Sequence, residues 1–231
     1  WADDGFPIFG DRGRLQLEEE TPLQLEPLPE PAPRDDFNSG TLAVSWNQLR
    51  NPEPELYSLS ERPGFLRLRG SAAGLDDVAA TAWVGQRQRH FAVQVATRLE
   101  FRPQKDAEEA GIVVRMNEQH HYEIFVTLRS GVPSVVLRRR IGSLRAEVAT
   151  HALPPNETDC LLAVEADQDT YRFRYGTAAD DLRLLGEGET RYLSTEVAGG
   201  FTGVYFAMYA SGNGAPCSEP ADFDWFEYRP L

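Results

Sequence analysis

Phe91-Ala92-Val93-Gln94-Val95-Ala96-Thr97-Arg98-Leu99-Glu100-Phe101 decides the fold. Successive side chains of an extended chain point to opposite faces. Phe91, Val93, Val95, Thr97, Leu99 and Phe101 therefore share one face, and Gln94, Arg98 and Glu100 the other. An apolar face backed by a charged one is the pattern of a half-buried antiparallel strand. The same period of two recurs along the chain. Tyr171, Phe173 and Tyr175 alternate with Arg172 and Arg174, and Leu66 and Leu68 with Arg67 and Arg69. Thr202, Val204, Phe206 and Met208 alternate with Gly203, Tyr205, Ala207 and Tyr209. Turn-forming clusters separate these runs at Arg62-Pro63-Gly64, Ser130-Gly131-Val132-Pro133, Asp167-Gln168-Asp169 and Ser211-Gly212-Asn213-Gly214. No segment keeps a helical period with caps, and no repeat of fixed length occurs. The first strand-like piece, Arg34-Asp35-Asp36-Phe37, shares its acidic and aromatic character with the last, Ala221-Asp222-Phe223-Asp224-Trp225-Phe226-Glu227-Tyr228. Both ends are expected side by side in an all-β, two-sheet antiparallel jelly-roll sandwich.

Composition narrows the partners. The chain of 231 residues is 41% hydrophobic, enough for a large core, and its net charge is −13. That charge argues against nucleic acid, which needs a basic surface. No run of eighteen apolar residues is present, so no helical membrane span is expected. The opening Trp1-Ala2-Asp3-Asp4 lacks the features of a signal peptide, and the reading is a soluble protein, cytoplasmic or periplasmic. Cys160 lies in an apolar run and reads as a small buried hydrophobe, whereas Cys217 sits in a Gly/Pro/Ser-rich loop. No Cys/His spacing fits a zinc site.

Residues 1–34 differ from the rest. Five prolines, Pro22, Pro27, Pro29, Pro31 and Pro33, alternate with acidic and apolar residues, a composition that favours extended polyproline-like chain. The expected division is 1–34 as a preceding segment with a linker, and 35–231 as the sandwich.

A series of motifs along 35–228 carries a resemblance. It runs through Asp35-Asp36-Phe37, Leu42, Trp46-Asn47-Gln48-Leu49-Arg50-Asn51-Pro52, Tyr57-Ser58-Leu59 and Arg62-Pro63-Gly64-Phe65-Leu66-Arg67-Leu68. It continues through Gly85-Gln86-Arg87-Gln88-Arg89-His90, Ala110-Gly111-Ile112, Leu193-Ser194, Phe201-Thr202-Gly203 and Ala221-Asp222-Phe223-Asp224-Trp225-Phe226. In this order they resemble the C-terminal β-sandwich, concanavalin A-like, of family 43 glycoside hydrolases of the β-xylosidase type. Trp1, with Asp4-Gly5-Phe6-Pro7-Ile8 and Gly10, resembles the closing segment of that family's five-bladed propeller, with Phe6 where Trp often stands.

The resemblance implies an accessory domain of a β-xylosidase or arabinofuranosidase-like enzyme. Its partners would be a catalytic propeller and xylo-oligosaccharide or a related plant glycan; an oligomer stays open. The family hydrolyses with inversion, by an acid and a base about 6.5–9.5 Å apart. Those acids belong to the propeller, so no catalytic residue is carried over. A sandwich loop helps close the sugar pocket, which excludes water from the reacting bond. Phe201 is the expected lid residue and Tyr205 the second candidate. Gly199-Gly200 frees the backbone before Phe201, although a strand-starting core residue is the alternative. A free-standing carbohydrate-binding module is the competing function, with the isolated aromatics Tyr209 and Trp83 as stacking platforms.

Other candidates have plainer readings. Asp36 with Asp222 and Asp224 would offer oxygens to Ca2+ at the seam of first and last strands, or else cap turns and pair with arginines. Glu165-Ala166-Asp167-Gln168-Asp169-Thr170 lacks the final acid of the Glu-x-Asp-x-x-Glu strand used by other jelly-roll glycosidases, and reads as a hairpin turn. His120 and His121 point to opposite faces and cannot chelate together; a neighbouring turn accounts for them. Arg138-Arg139-Arg140 reads as a solvated edge, Arg87, Arg89 and His90 as structural ion-pair partners or else as residues facing the propeller, and Trp46 and Trp225 as core.

Overall fold

The computed structural model describes residues 2–10, 13–18, 26, 32–155, 157, 159–201 and 203–231. The chain divides into two compact units, Trp1–Ala32 and Pro33–Leu231. In the short unit Gly5, at φ +84°, donates its N–H to the Ala2 carbonyl, and the Ala2 N–H returns to Phe6. Trp1 and the linker prolines Pro22, Pro27, Pro29 and Pro31 lie outside the described residues.

The second unit is built from fifteen described strands: β1 Arg34–Asp35, β2 Asn47–Gln48, β3 Tyr57–Ser58, β4 Leu66–Leu68, β5 Ala82–Arg87, β6 Val93–Glu100, β7 Glu109–Asn117, β8 His120–Arg129, β9 Val132–Ile141, β10 Leu144–Ala152, β11 Asp159–Ala166, β12 Thr170–Gly176, β13 Arg183–Glu189, β14 Tyr205–Ser211 and β15 Ala221–Pro230. One sheet runs β13-β12-β11-β6-β15-β4-β3, with β1 also on β15; the other runs β10-β9-β8-β7-β14-β5-β2. Every ladder between these strands is antiparallel. The protein is the two-sheet antiparallel sandwich expected from the alternating runs. Its ends meet as anticipated, Arg34 opposite Glu227 and Asp35 opposite Phe226.

The inward sets follow the sequence period. Val93, Val95 and Leu99 of β6, Leu162 and Val164 of β11, and Tyr171 and Phe173 of β12 face Ile112, Val114, Tyr122, Ile124, Phe206 and Met208 across one continuous core. Ser130 and Gly131 both take positive φ, 51° and 78°, and join β8 to β9 as a two-residue hairpin. Mirror-image turns of this kind match the twist of the flanking strands. The β11–β12 hairpin is closed by Asp167, whose Oδ1 accepts the N–H groups of Asp169 and Thr170. Turn chemistry thus accounts for that acidic segment.

Three positions depart from the simple alternation. Phe91 lies before β6 and is exposed, because pairing starts only at Val93. Trp225 does not join the core. The register of β15 on β6 shifts between Phe223 and Trp225, so Asp224 is the extra residue of a bulge. Phe223 and Phe226 both turn inward as a result, and Trp225 is left outside under the Arg34 guanidinium, 4.3 Å from the ring centroid. A bulge inserts one residue and reverses the faces beyond it. Finally, Arg138 is buried rather than solvated.

Trp46 is a core residue as expected, set against Phe37 and Phe226 with ring centroids 5.7 and 5.1 Å away. Its indole N–H donates to Asp35 Oδ2 at 2.8 Å, while Asp35 Oδ1 accepts the Phe37 N–H at 2.9 Å. Phe37 holds φ 50°, which an L residue adopts only with support. Asp35→Ala strands a buried indole donor and releases that turn. The expected loss is about 1–3 kcal/mol in urea unfolding; a change within error would show that the carboxylate supports neither.

Candidate functional site

One end of the sandwich displays a loop whose sequence is unusually free of side chains. The helical turn Thr195–Ala198 ends at Gly199, and residues 199–203 lead into β14. Gly199, Gly200 and Gly203 take φ of 74°, 77° and 73°. Glycine adopts this region without the penalty of a Cβ. Phe201 sits at the tip, 100% exposed. Thr202 lies outside the described residues. Phe201 is therefore displayed, and the alternative of a core residue starting a strand is excluded by its exposure.

Both roots of the loop are tied to the sheet. Asn117, at the end of β7, donates Nδ2–H to the Ala198 carbonyl at 3.0 Å. On the other side the Gln88 N–H donates to the Val204 carbonyl at 2.9 Å. Tyr205 and Arg87 face each other across the β14–β5 ladder. The Arg87 guanidinium lies over the Tyr205 ring at 4.5 Å and donates Nη2–H to the Tyr205 hydroxyl. Tyr205 packs edge-on against Trp83, 5.5 Å between centroids. Tyr205 is thus a supporting residue below the tip.

A cleft of about 900 Å³ opens beside the loop, lined among others by Gln88, His90, Phe91, Tyr171, Val197 and Val204. Its 88–91 wall is held by two tyrosines. Tyr171 donates its hydroxyl to Gln88 Oε1 at 2.8 Å, and the Tyr228 hydroxyl accepts the Arg89 and His90 N–H groups at 2.8 and 3.2 Å. Arg87 and Arg89 make no ion pair with a carboxylate among the described residues; each lies on a tyrosine ring instead. The expectation of ion pairing is corrected here, because flat guanidinium groups stack on aromatic faces.

The proposed stacking platforms are not available. Tyr209 is 0% and Trp83 2% exposed. They lie on the outer face of the second sheet, covered together with Val113, Phe125, Val136 and Ala207 by Leu75 from the preceding loop. An apolar lid over a sheet face removes it from ligands.

The same covered face holds a charged network that the sequence reading missed. Arg138 donates Nη1–H and Nη2–H to Glu109 at 2.9 and 2.6 Å, and Nη2–H also reaches Glu123. The Tyr209 hydroxyl donates to Glu123 Oε2 at 3.1 Å. His121 donates Nδ1–H to the Asn117 carbonyl at 3.1 Å, and its Nε2 lies 2.9 Å from Glu123 and 3.2 Å from Asp76. These last two are ion-pair distances without hydrogen-bond angles. Burial opposes charge at Glu123, but Arg138 and His121 outweigh it and hold the carboxylate low. Burial pushes Glu109 up, and Arg138 offsets this only in part while Glu123 repels it. Burial disfavours His121 as a cation, yet Asp76 and Glu123 raise its affinity for a proton. The only sequence signal was negative: three adjacent arginines in a strand cannot all face water. Glu109 and Glu123 are under 5% exposed and share one guanidinium, which makes them structural charges and not an acid–base pair for a sugar.

Two of the carboxylates considered for Ca2+ are engaged by arginines. Asp222 is buried and held by Arg67, at 2.7 and 2.8 Å, and by Arg62 at 2.9 Å. Burial would raise its pKa, and the two guanidinium groups reverse that. Asp36 accepts from Arg34 at 2.6 Å. No group of three or more His, Cys, Asp or Glu placed to hold an ion occurs among the described residues. Cys160 and Cys217 are unpaired thiols, each pushed up to about 12 chiefly by burial.

Comparison with known proteins places this geometry. Residues 34–229 match the beta xylosidase C-terminal concanavalin A-like domain family. A non-reducing end alpha-L-arabinofuranosidase of Bacteroides ovatus is 38% identical across 100% of the chain, and a xylan 1,3-beta-xylosidase of a Vibrio species is 30% identical across 99%. The chain spans 44% and 43% of those relatives. Among solved structures, a GH43B protein of Bacteroides ovatus superposes with TM-score 0.93 at 38% identity, covering 100% of this chain and 46% of that one. A xylan beta-1,4-xylosidase of Bacillus halodurans gives 0.88 at 28% identity, covering 99% and 45%.

Proposed function

Because this chain belongs to the beta xylosidase C-terminal concanavalin A-like domain family, we propose that it is the non-catalytic sandwich of a family 43 glycoside hydrolase. In that role its Phe201 loop closes the sugar pocket of a catalytic propeller. The observation that carries this reading is Phe201 itself, fully exposed at the end of a loop with glycines on both sides and with both roots tied down. An exposed aromatic on a tethered loop costs solvation in isolation, and it gains when it packs on a sugar ring or a partner surface. The xylosidase and arabinofuranosidase names of the relatives support xylo-oligosaccharide or arabinose-bearing substrates for the whole enzyme. Closure would exclude water and orient the sugar against an acid–base pair supplied elsewhere. Residues 1–34 fit the same arrangement as the end of the propeller and its linker.

The alternative of a free-standing glycan-binding module loses its platform with the burial of Tyr209 and Trp83. The experiment is kinetic and uses the full-length enzyme that contains this chain. Phe201→Ala is expected to lower kcat/KM on an aryl xyloside about tenfold, with unfolding unchanged, as befits one lost closing contact. An unchanged kcat/KM would remove the lid role. The isolated chain is expected to hydrolyse no aryl xyloside and to give no saturable heat with xylo-oligosaccharides; micromolar binding would restore the module reading.

A further inference from the structure

We infer that Arg87 is a positioning residue that fixes the C-terminal root of the Phe201 loop, and so sets where the tip points. The inference rests on the lid reading for its consequence in catalysis, but its structural content stands apart.

Arg87 ends β5 directly opposite Tyr205, the first residue of β14. Its guanidinium is used in two ways on one side chain, flat over the Tyr205 ring at 4.5 Å and as donor to the Tyr205 hydroxyl. The ring below is itself wedged against buried Trp83. The stack Trp83–Tyr205–Arg87 thus rises from the covered sheet face to the loop. At its top stands Gly203. A Cβ built there would lie 3.2 Å from Arg87 Nη1, so the guanidinium sits against the backbone two residues from the tip. The next residues are locked as well, since Gln88 N–H holds the Val204 carbonyl. No carboxylate among the described residues competes for Arg87. Arg87 is exposed, yet its guanidinium lies over a ring and against a glycine and not out in water. A planar fork can be ring partner, donor and backbone support together, which an ammonium cannot. Three glycines with positive φ leave the loop conformationally loose, and the tip direction is then decided by what holds its roots.

Two measurements test this. In the chain described here, Phe201→Cys carrying a nitroxide label reports tip mobility. Labelling of the parent chain, with Phe201 in place, measures and subtracts any background from buried Cys160 and half-buried Cys217. Arg87→Met is expected to shorten the label correlation time at least about twofold, and Arg87→Lys to rescue little, since it loses the fork. Unchanged label mobility in a folded Arg87→Met variant would overturn the proposal. In the full-length enzyme, Arg87→Met is expected to lower kcat about tenfold with KM nearly constant, and to cost nothing further once Phe201 is alanine. An equal loss in both backgrounds would show Arg87 acting on its own, against the proposal. If Phe201→Ala alone is silent, the lid reading fails, and the label experiment still decides whether Arg87 holds the loop.

Discussion

Arg138→Met will destabilise the sandwich by about 3–5 kcal/mol in urea unfolding, the largest loss expected from any single charge in this chain. Removing the guanidinium leaves Glu109 and Glu123 facing each other under a covered sheet face, with His121, the Tyr209 hydroxyl and the Asn213 amide nearby. The loss measures the strandedness of those carboxylates more than the worth of the pair. The triple variant Arg138→Met, Glu109→Gln, Glu123→Gln is therefore expected to regain most of it. If the triple variant is as unstable as the single one, packing on Phe125, over which Arg138 lies at 4.4 Å, is the true role of the side chain.

The pH dependence follows from the same groups, and its sign differs between them. Glu123 and Asp76 have lowered pKa values in the fold. Their contribution is present above the unfolded carboxylate range, about 4, and is lost as pH falls through the folded values. His121 is raised. Its contribution is present below about 6.5 and is lost as pH rises through its folded value. Glu109, also raised, acts in the same direction as His121. Asp76 further faces Arg140 and Arg145 at 4.0 and 3.8 Å, so its loop stays attached after His121 loses its proton. Arg138→Met should flatten the acid limb, because Glu123 loses its main counter-charge.

Leu75→Ala is the second large effect, about 2–5 kcal/mol, as for other buried leucines. Leu75 is 4% exposed and caps the outer face over Trp83, Phe125 and Tyr209. Truncation removes the apolar contact and leaves a space beside the rings of that cluster. Acrylamide quenching of tryptophan emission should rise in parallel as Trp83 becomes reachable. A loss under about 0.5 kcal/mol would mean that the loop collapses onto the face and that Leu75 is not its anchor.

The strands were legible because their information is local. Each alternating run carries its own buried face, and hairpins such as Asp167–Thr170 and Ser130-Gly131 announce themselves by short-range hydrogen bonds and backbone preference. Phe201 was also readable, as an aromatic after two glycines in a motif of the resembled family. Trp225 was misplaced because a single inserted residue, Asp224, reverses every face beyond it, and no property of Asp marks a bulge. Tyr209 and Trp83 were misread for another reason: alternation says which residues share a face, and not what covers it.

What the sequence determined by itself is the two-sheet sandwich and its adjoining ends, since these follow from periodicity and turn chemistry. What only the tertiary structure decided is which charges and rings are available. Glu109 and Tyr209 are 100 residues apart in the chain, Arg87 and Tyr205 are 118 apart, and Asp76 reaches His121 from a separate loop. Desolvation and pairing arise only when such distant groups are brought together, so their protonation, burial and roles are properties of the packed sheets and not of any one segment.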